Sequence, residues 1–194
     1  MINDFKQYRV TYTLMALLMA NFVLNYFRQG TSSFSETSFF QTLLNNFSHF
    51  RRFHLVLSLL ALYNYRYLEA LHGHLYYCLT LVCLLLPKTF IYYFLLNEES
   101  PISLGFFGII LGLMTIYPEE KIFGFNCDCR YYSIIILFLV QLIPQYSFYA
   151  NLSGVLSGYL FLALSPYLVT TEITQKPQSN LLRQRKSHLY KHIP

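Results

Sequence analysis

The sequence predicts an all-α membrane protein built as a bundle of six transmembrane helices. Three observations carry this. Of 194 residues, 55% are hydrophobic and only 12% charged, whereas soluble domains carry about 25% charged residues. The apolar residues gather into six runs separated by short polar segments. Lys and Arg then fall unequally on the two sides that those runs define.

The first run is about Val10–Phe27, roughly 18 residues, longer than the apolar part of a secretory signal. Arg28-Gln-Gly after it lacks the small-residue cleavage pattern, so the run is expected to stay as span 1 and to target the chain. A loop from Arg28 to Arg52 leads to span 2, about Phe53–Ala70. Span 3 is about Leu75–Leu96, interrupted by Pro87 and Lys88. Span 4 is about Ile102–Tyr117, a polar loop runs from Pro118 to Arg130, span 5 is about Tyr131–Ile143 and span 6 about Phe148–Val169. Spans 4 and 5 are short for a bilayer that needs about 20 residues. They are expected to sit in thinned lipid or to be shielded by neighbours. Residues 1–169 form the transmembrane domain; residues 170–194 are a polar, basic tail with the composition of a disordered segment. The sequence has no internal repeat.

Six crossings put both termini on one side. That side carries Lys6, Arg9, Arg66, Lys121, Arg130, Lys176, Arg183, Arg185, Lys186 and Lys191; the other carries Arg28, Arg51 and Arg52. The bias predicts cytosolic termini. Asn46-Phe47-Ser48 is a glycosylation sequon in a loop expected on the lumenal side, close to span 2. With 18 Tyr and no Trp, tyrosine is expected to supply the interfacial belt. The basic tail has no nucleic-acid-binding fold beside it, so no nucleic-acid partner is implied.

Four cysteines imply no disulfide framework: Cys78 and Cys83 read as small buried hydrophobes, Cys127 and Cys129 as reduced loop thiols. That loop has no histidine, so no metal is implied, and no cofactor motif appears. Glu69 is expected to pair with Arg66 or a neighbouring helix end. Lys88 marks a polar cavity or snorkels to an interface.

Small residues concentrate in spans 4 and 6. Gly105, Gly108 and Gly112 lie in one, Gly154 and Gly158 in the other, and each span has a Gly-x-x-x-Gly step. Four residues make about one turn, so the paired glycines open a groove that admits a partner backbone.

Ser147-Phe148-Tyr-Ala150-Asn151-Leu-Ser-Gly154-Val-Leu-Ser-Gly158 resembles the last core helix of the rhomboid family, whose pattern is Ser-Phe-x-Gly-His-Leu-x-Gly-x-x-x-Gly. Ser48-His49, His54-Leu55 and Ser58 resemble that family's His-x-x-x-x-His-x-x-x-Asn stretch. Leu68-Glu69 with Gly73 resembles the close of the same helix, and Gly105-Phe-Phe107-Gly108 its Gly-x-Ser-Gly. The resemblance implies a six-helix rhomboid-like bundle in which His54, Phe107 and Asn151 meet at one depth. It also implies lost chemistry. Phe107 stands where active members have the nucleophilic Ser, and Asn151 where they have the general-base His. Phenylalanine offers no nucleophile, and an amide does not take up and return a proton near neutral pH. The oxyanion-hole His corresponds to His54 and its Asn partner to Ser58.

Blander roles stand beside these. Phe107 reads most simply as a packing residue, Asn151 as an interhelical hydrogen bonder, His54 as an interfacial residue and Ser103 as a helix cap.

The reading is a catalytically inactive rhomboid-like pseudoprotease. It is similar to the derlins and the UBA-bearing members of the endoplasmic reticulum, which handle membrane and lumenal clients with ubiquitin ligases. The resemblance implies transmembrane clients, a membrane ubiquitin ligase complex and a multi-pass location in the endoplasmic reticulum or Golgi. The roughly 25 residues after span 6 are too few for a UBA domain. Clients are expected to enter laterally beside spans 2 and 5. The alternatives are a residual intramembrane serine protease using Ser103 with a non-standard base, a channel, for which the spans offer few polar residues beyond Lys88, Gln141 and Asn151, and a purely structural subunit.

Overall fold

A computed structural model describes residues 2–28, 38–49, 52–96, 105–118, 121–122, 125–126, 131–143 and 147–168. The chain divides into two units, Met1–Leu162 and Ala163–Pro194. Of the second, only residues 163–168 are described, as the end of a helix. Ser103, Cys127, Cys129 and the basic tail lie outside the described residues.

The described chain is helical apart from one two-residue antiparallel ladder. The elements are α1 (Ile2–Gln7), α2 (Arg9–Arg28), α3 (Phe39–Asn45), α4 (Arg52–Asn64), α5 (Tyr67–His72) and α6 (His74–Phe90). A π-helical segment, Ile91–Leu96, follows, then α7 (Phe107–Ile116), β1 (Lys121–Ile122), β2 (Phe125–Asn126), α8 (Tyr132–Gln141) and α9 (Phe148–Leu168). Strand β1 pairs β2 with Lys121 opposite Asn126. Three helical stretches, Arg9–Phe27, His74–Leu96 and Phe148–Ser165, are long and apolar enough to cross a membrane. These three make the chain a multi-pass membrane protein.

The other three predicted spans hold shorter helices. In span 2 the tight turn at Tyr65–Arg66 separates α4 from α5, with three-residue hydrogen bonds such as Leu68 N–H to the Tyr65 carbonyl at 3.1 Å. The turn brings Glu69 to the start of α2. There its carboxylate accepts from the amides of Val10 at 2.7 Å and Thr11 at 2.9 Å, and from the Thr11 hydroxyl at 2.8 Å. An anion on a helix N-terminus meets the positive end of the dipole and unpaired N–H groups. His74 Nδ1 lies 2.5 Å from the same carboxylate. Of the two partners expected for Glu69, the helix end is the one present. The Arg66 guanidinium instead lies 3.6 Å over the Tyr63 ring.

Pro87 does not interrupt α6; the helix widens only at Ile91, whose N–H reaches the carbonyls of both Pro87 and Lys88. Span 4 starts later than expected. Gly105 has φ +61°, a left-handed conformation that glycine adopts freely, and α7 begins after it. Every residue from Phe107 to Thr115 is buried. Ten residues rise only about 15 Å, half a bilayer core, yet α7 needs no thinned lipid because α4, α6, α8 and α9 enclose it. Of the two short spans, α8 is the one that presents large side chains outward, with Phe138 and Leu139 exposed.

Two helices fall in segments expected as non-helical, α1 at the N-terminus and α3 in the loop after span 1. In α3, Ser38 caps the start, its hydroxyl accepting from Gln41 N–H at 3.2 Å. Cys78 and Cys83 are exposed on the outer face of α6 rather than buried. Tyr8, Tyr65, Tyr77 and Tyr92 are buried in the protein, so part of the tyrosine content serves the core instead of an interfacial belt.

Candidate functional site

The residues around the start of α7 are assembled from four directions. His54, on α4, lies against Gly105: a Cβ built there would fall 2.2 Å from His54 Cε1. Glycine is therefore required at position 105 twice, for its φ and for the imidazole that takes the side-chain space. His54 is buried, so it is not the interfacial residue allowed for by the sequence.

Its neighbour His49 sits 5.0 Å away, ring centroid to centroid. The hydrogen bonds fix the state of His49. Its Nε2 accepts from the backbone N–H of Phe106 at 3.2 Å and lies 3.1 Å from the Ser58 hydroxyl. The proton is then on Nδ1, which donates to the Phe47 carbonyl at 3.3 Å. The ring is neutral. Burial holds its pKa down, to about 4; the Phe47 carbonyl opposes this, and the nearby charge of Lys88 adds to it. His49 thus caps α7 from outside, because Phe106 occupies the N-cap without a side-chain cap of its own. Ser58 pairs with His49, five residues before His54, rather than with His54 as the motif implied.

Beneath this lies a buried lysine. Lys88 is 0% exposed, so it does not snorkel. Its ammonium donates to Asn46 Oδ1 and, at 3.3 Å, to the Gly105 carbonyl. The Asn46 amide in turn donates to Thr89 Oγ1 at 3.0 Å and to the Thr42 carbonyl at 3.0 Å. This engages Asn46 fully and buries it, so a glycan on its Nδ2 would not fit this fold. Asn46 and Thr89 were not among the expected site residues. The available signal was Lys88 itself, because a cation in an apolar run requires oxygen acceptors nearby.

Helices α7 and α9 meet backbone to backbone. A Cβ on Gly154 would lie 1.8 Å from the Gly108 carbonyl oxygen, and one on Gly158 would lie 2.7 Å from the Gly112 oxygen. A Cβ on Gly112 would meet the Gly154 oxygen at 2.9 Å. This contact brings Phe107 and Gly108, at the start of α7, beside Ala150 and Asn151 near the start of α9. Phe107 is buried. Asn151 is 1% exposed, and among the described residues neither atom of its amide has a hydrogen-bond partner. The expected interhelical bond is therefore missing there. Among the described residues no group of three His, Cys, Asp or Glu side chains is placed to hold a metal.

A family model described as the rhomboid domain matches residues 36–167, more than half of the chain. The chain belongs to the rhomboid family. The rhomboid match begins ahead of α3 and ends within α9, so it takes in every residue of the cluster. No curated protein and no solved structure is detectably similar to the chain.

Proposed function

We propose that this rhomboid protein is non-catalytic and works by binding client proteins in the membrane. It crosses the bilayer six times with both termini in the cytosol, and resides in the endoplasmic reticulum or Golgi. There it serves protein quality control within a membrane ubiquitin ligase complex. The observation that carries the reading is the composition of the cluster at the start of α7. Phe107 lies at the motif position of the nucleophile, and a buried Asn151 at that of the base. The neighbouring imidazole, His49, already has its lone pair occupied by a backbone N–H. Among the described residues of the cluster, Phe107 supplies no nucleophile and Asn151 no base.

The test is affinity purification from gently solubilised membranes with mass spectrometry of co-purifying proteins. Recovery of a ubiquitin ligase or an unfoldase supports the reading. Recovery of neither, with cleavage of a transmembrane substrate by the purified protein, contradicts it.

One contact favours the alternative of a residual serine protease: the Ser58 hydroxyl lies 3.1 Å from His49 Nε2, the spacing of a nucleophile and its base. Ser58 is wholly buried in α4. If cleavage were seen, Ser58→Ala and Ser103→Ala would tell which hydroxyl performs it.

A further inference from the structure

Among the described residues Lys88 is the one Lys or Arg whose side chain is fully buried, and no carboxylate there balances it. Its partners, Asn46 and Gly105, are neutral oxygens. Two acceptors for three N–H bonds leave one donor unused. Glu69 is engaged elsewhere, at the start of α6 with α2 and His74, and α6 carries Lys88 about 21 Å further along. A lysine in low dielectric is costly to keep charged without a counter-ion, and the described residues supply none, so a carboxylate brought to it gains a charge-assisted hydrogen bond.

The surroundings of Lys88 add donors. A Cβ on Gly108 would lie 3.2 Å from Lys88 Nζ and 2.6 Å from the Ala150 carbonyl oxygen, so the ammonium and the first turn of α9 face the same spot. Asn151, next in the chain, has an amide with no partner among the described residues. One turn beyond Lys88, Tyr92 of the π-helical segment packs on Ala150, and these two form an apolar cluster of their own, apart from the main core. π-helical turns within helices are frequent at functional sites.

The geometry points to a membrane-embedded segment carrying an Asp or Glu as the partner that this seam accepts. The partner parts Tyr92 from Ala150, and its carboxylate takes hydrogen bonds from Lys88 and from the Asn151 amide. This rests on the client-binding reading above and names its partner class. It puts the access between the π-helical segment and α9, rather than beside spans 2 and 5.

The experiment uses the full-length protein in nanodiscs, with a photocrosslinking residue at position 92 or, separately, at Phe138 on α8. The probes are three otherwise identical leucine-alanine transmembrane peptides with Asp, Asn or Leu at the midpoint. From position 92 the Asp peptide is expected to crosslink at least ten-fold more than the Leu peptide, with Asn close to Leu. Lys88→Met should erase the preference and Lys88→Arg should keep most of it. Equal capture of all three peptides overturns the carboxylate pairing and leaves client binding standing. Capture from Phe138 alone overturns the seam. Capture from neither position overturns both this inference and the client-binding reading. Because the decisive comparison varies the peptide on an unaltered Lys88, it stands even if Lys88→Met fails to fold.

Discussion

Gly154→Ala tests the contact on which the whole cluster is built. The added Cβ would lie 1.8 Å from the Gly108 carbonyl oxygen, 2.4 Å from its carbonyl carbon and 2.8 Å from its Cα. All three are backbone atoms of a buried helix, so no side chain can swing aside. Non-bonded heavy atoms settle at about 3.5 Å or more, and α7 and α9 would have to part by roughly 1.5–2 Å. Overpacking costs about 1–3 kcal/mol, and here the parting also loosens Gly112 against the Gly154 oxygen and Gly158 against the Gly112 oxygen. A loss of about 3 kcal/mol is expected, which for a chain of this length lowers Tm by about 6–12 °C. Gly158→Ala, whose closest neighbours include the Thr115 side chain at 2.7 Å, should cost less. Gly73→Ala meets nothing within 4 Å but must hold φ +87° with ψ 162°, a region essentially confined to glycine, so its cost is backbone strain alone, about 1–3 kcal/mol. Thermal unfolding of a fluorescent fusion in detergent, read by size-exclusion chromatography, ranks the three. A Gly154→Ala protein within 2 °C of the parent would refute the backbone-to-backbone contact.

Three further outcomes are expected. Glu69→Gln keeps the shape but removes the anion that three donors of α2 and His74 share, and should destabilise by about 2–3 kcal/mol in the same assay. His49 should make stability pH-dependent. Its folded pKa, about 4, lies below the ordinary 6.5, so the unfolded chain binds the extra proton. Its contribution is therefore present above pH 6.5 and lost as pH falls toward 4, by about 3 kcal/mol in all. His49→Gln should flatten that part of a Tm-against-pH curve, and an unchanged slope would deny the neutral, buried ring. Asn46 should carry no glycan when the protein is made in microsomes, because its amide is buried on Thr89 and Lys88; an endoglycosidase-sensitive band that Asn46→Gln removes would contradict this.

The apolar runs were legible because a lipid-solvated helix declares itself by length and lack of charge, and each of the six runs holds a helix. What the runs did not reveal depends on contacts distant in sequence. The break at Tyr65–Arg66 turns Glu69 toward α2, 58 residues away from its partner Thr11. α7 starts after Gly105, whose φ of +61° is not helical and whose side-chain space His54 takes. The four-residue glycine spacing is a local signal for close helix approach, whereas the partner of each glycine is not. Cys78 and Cys83 face outward because thiols are apolar enough for either environment, and hydropathy does not separate lipid from protein interior. Asn46 looked like a sequon because the tripeptide is visible in sequence, while its bond to Thr89 across 43 residues is not.

The central claim is that this rhomboid protein holds clients without cutting them. The most direct measurement is to reconstitute the purified full-length protein in lipid with a panel of transmembrane substrates and follow each by intact mass. The account predicts that every substrate keeps its mass while some remain bound through purification. A new pair of fragment masses from a single peptide bond, lost in Ser58→Ala or Ser103→Ala, would contradict it.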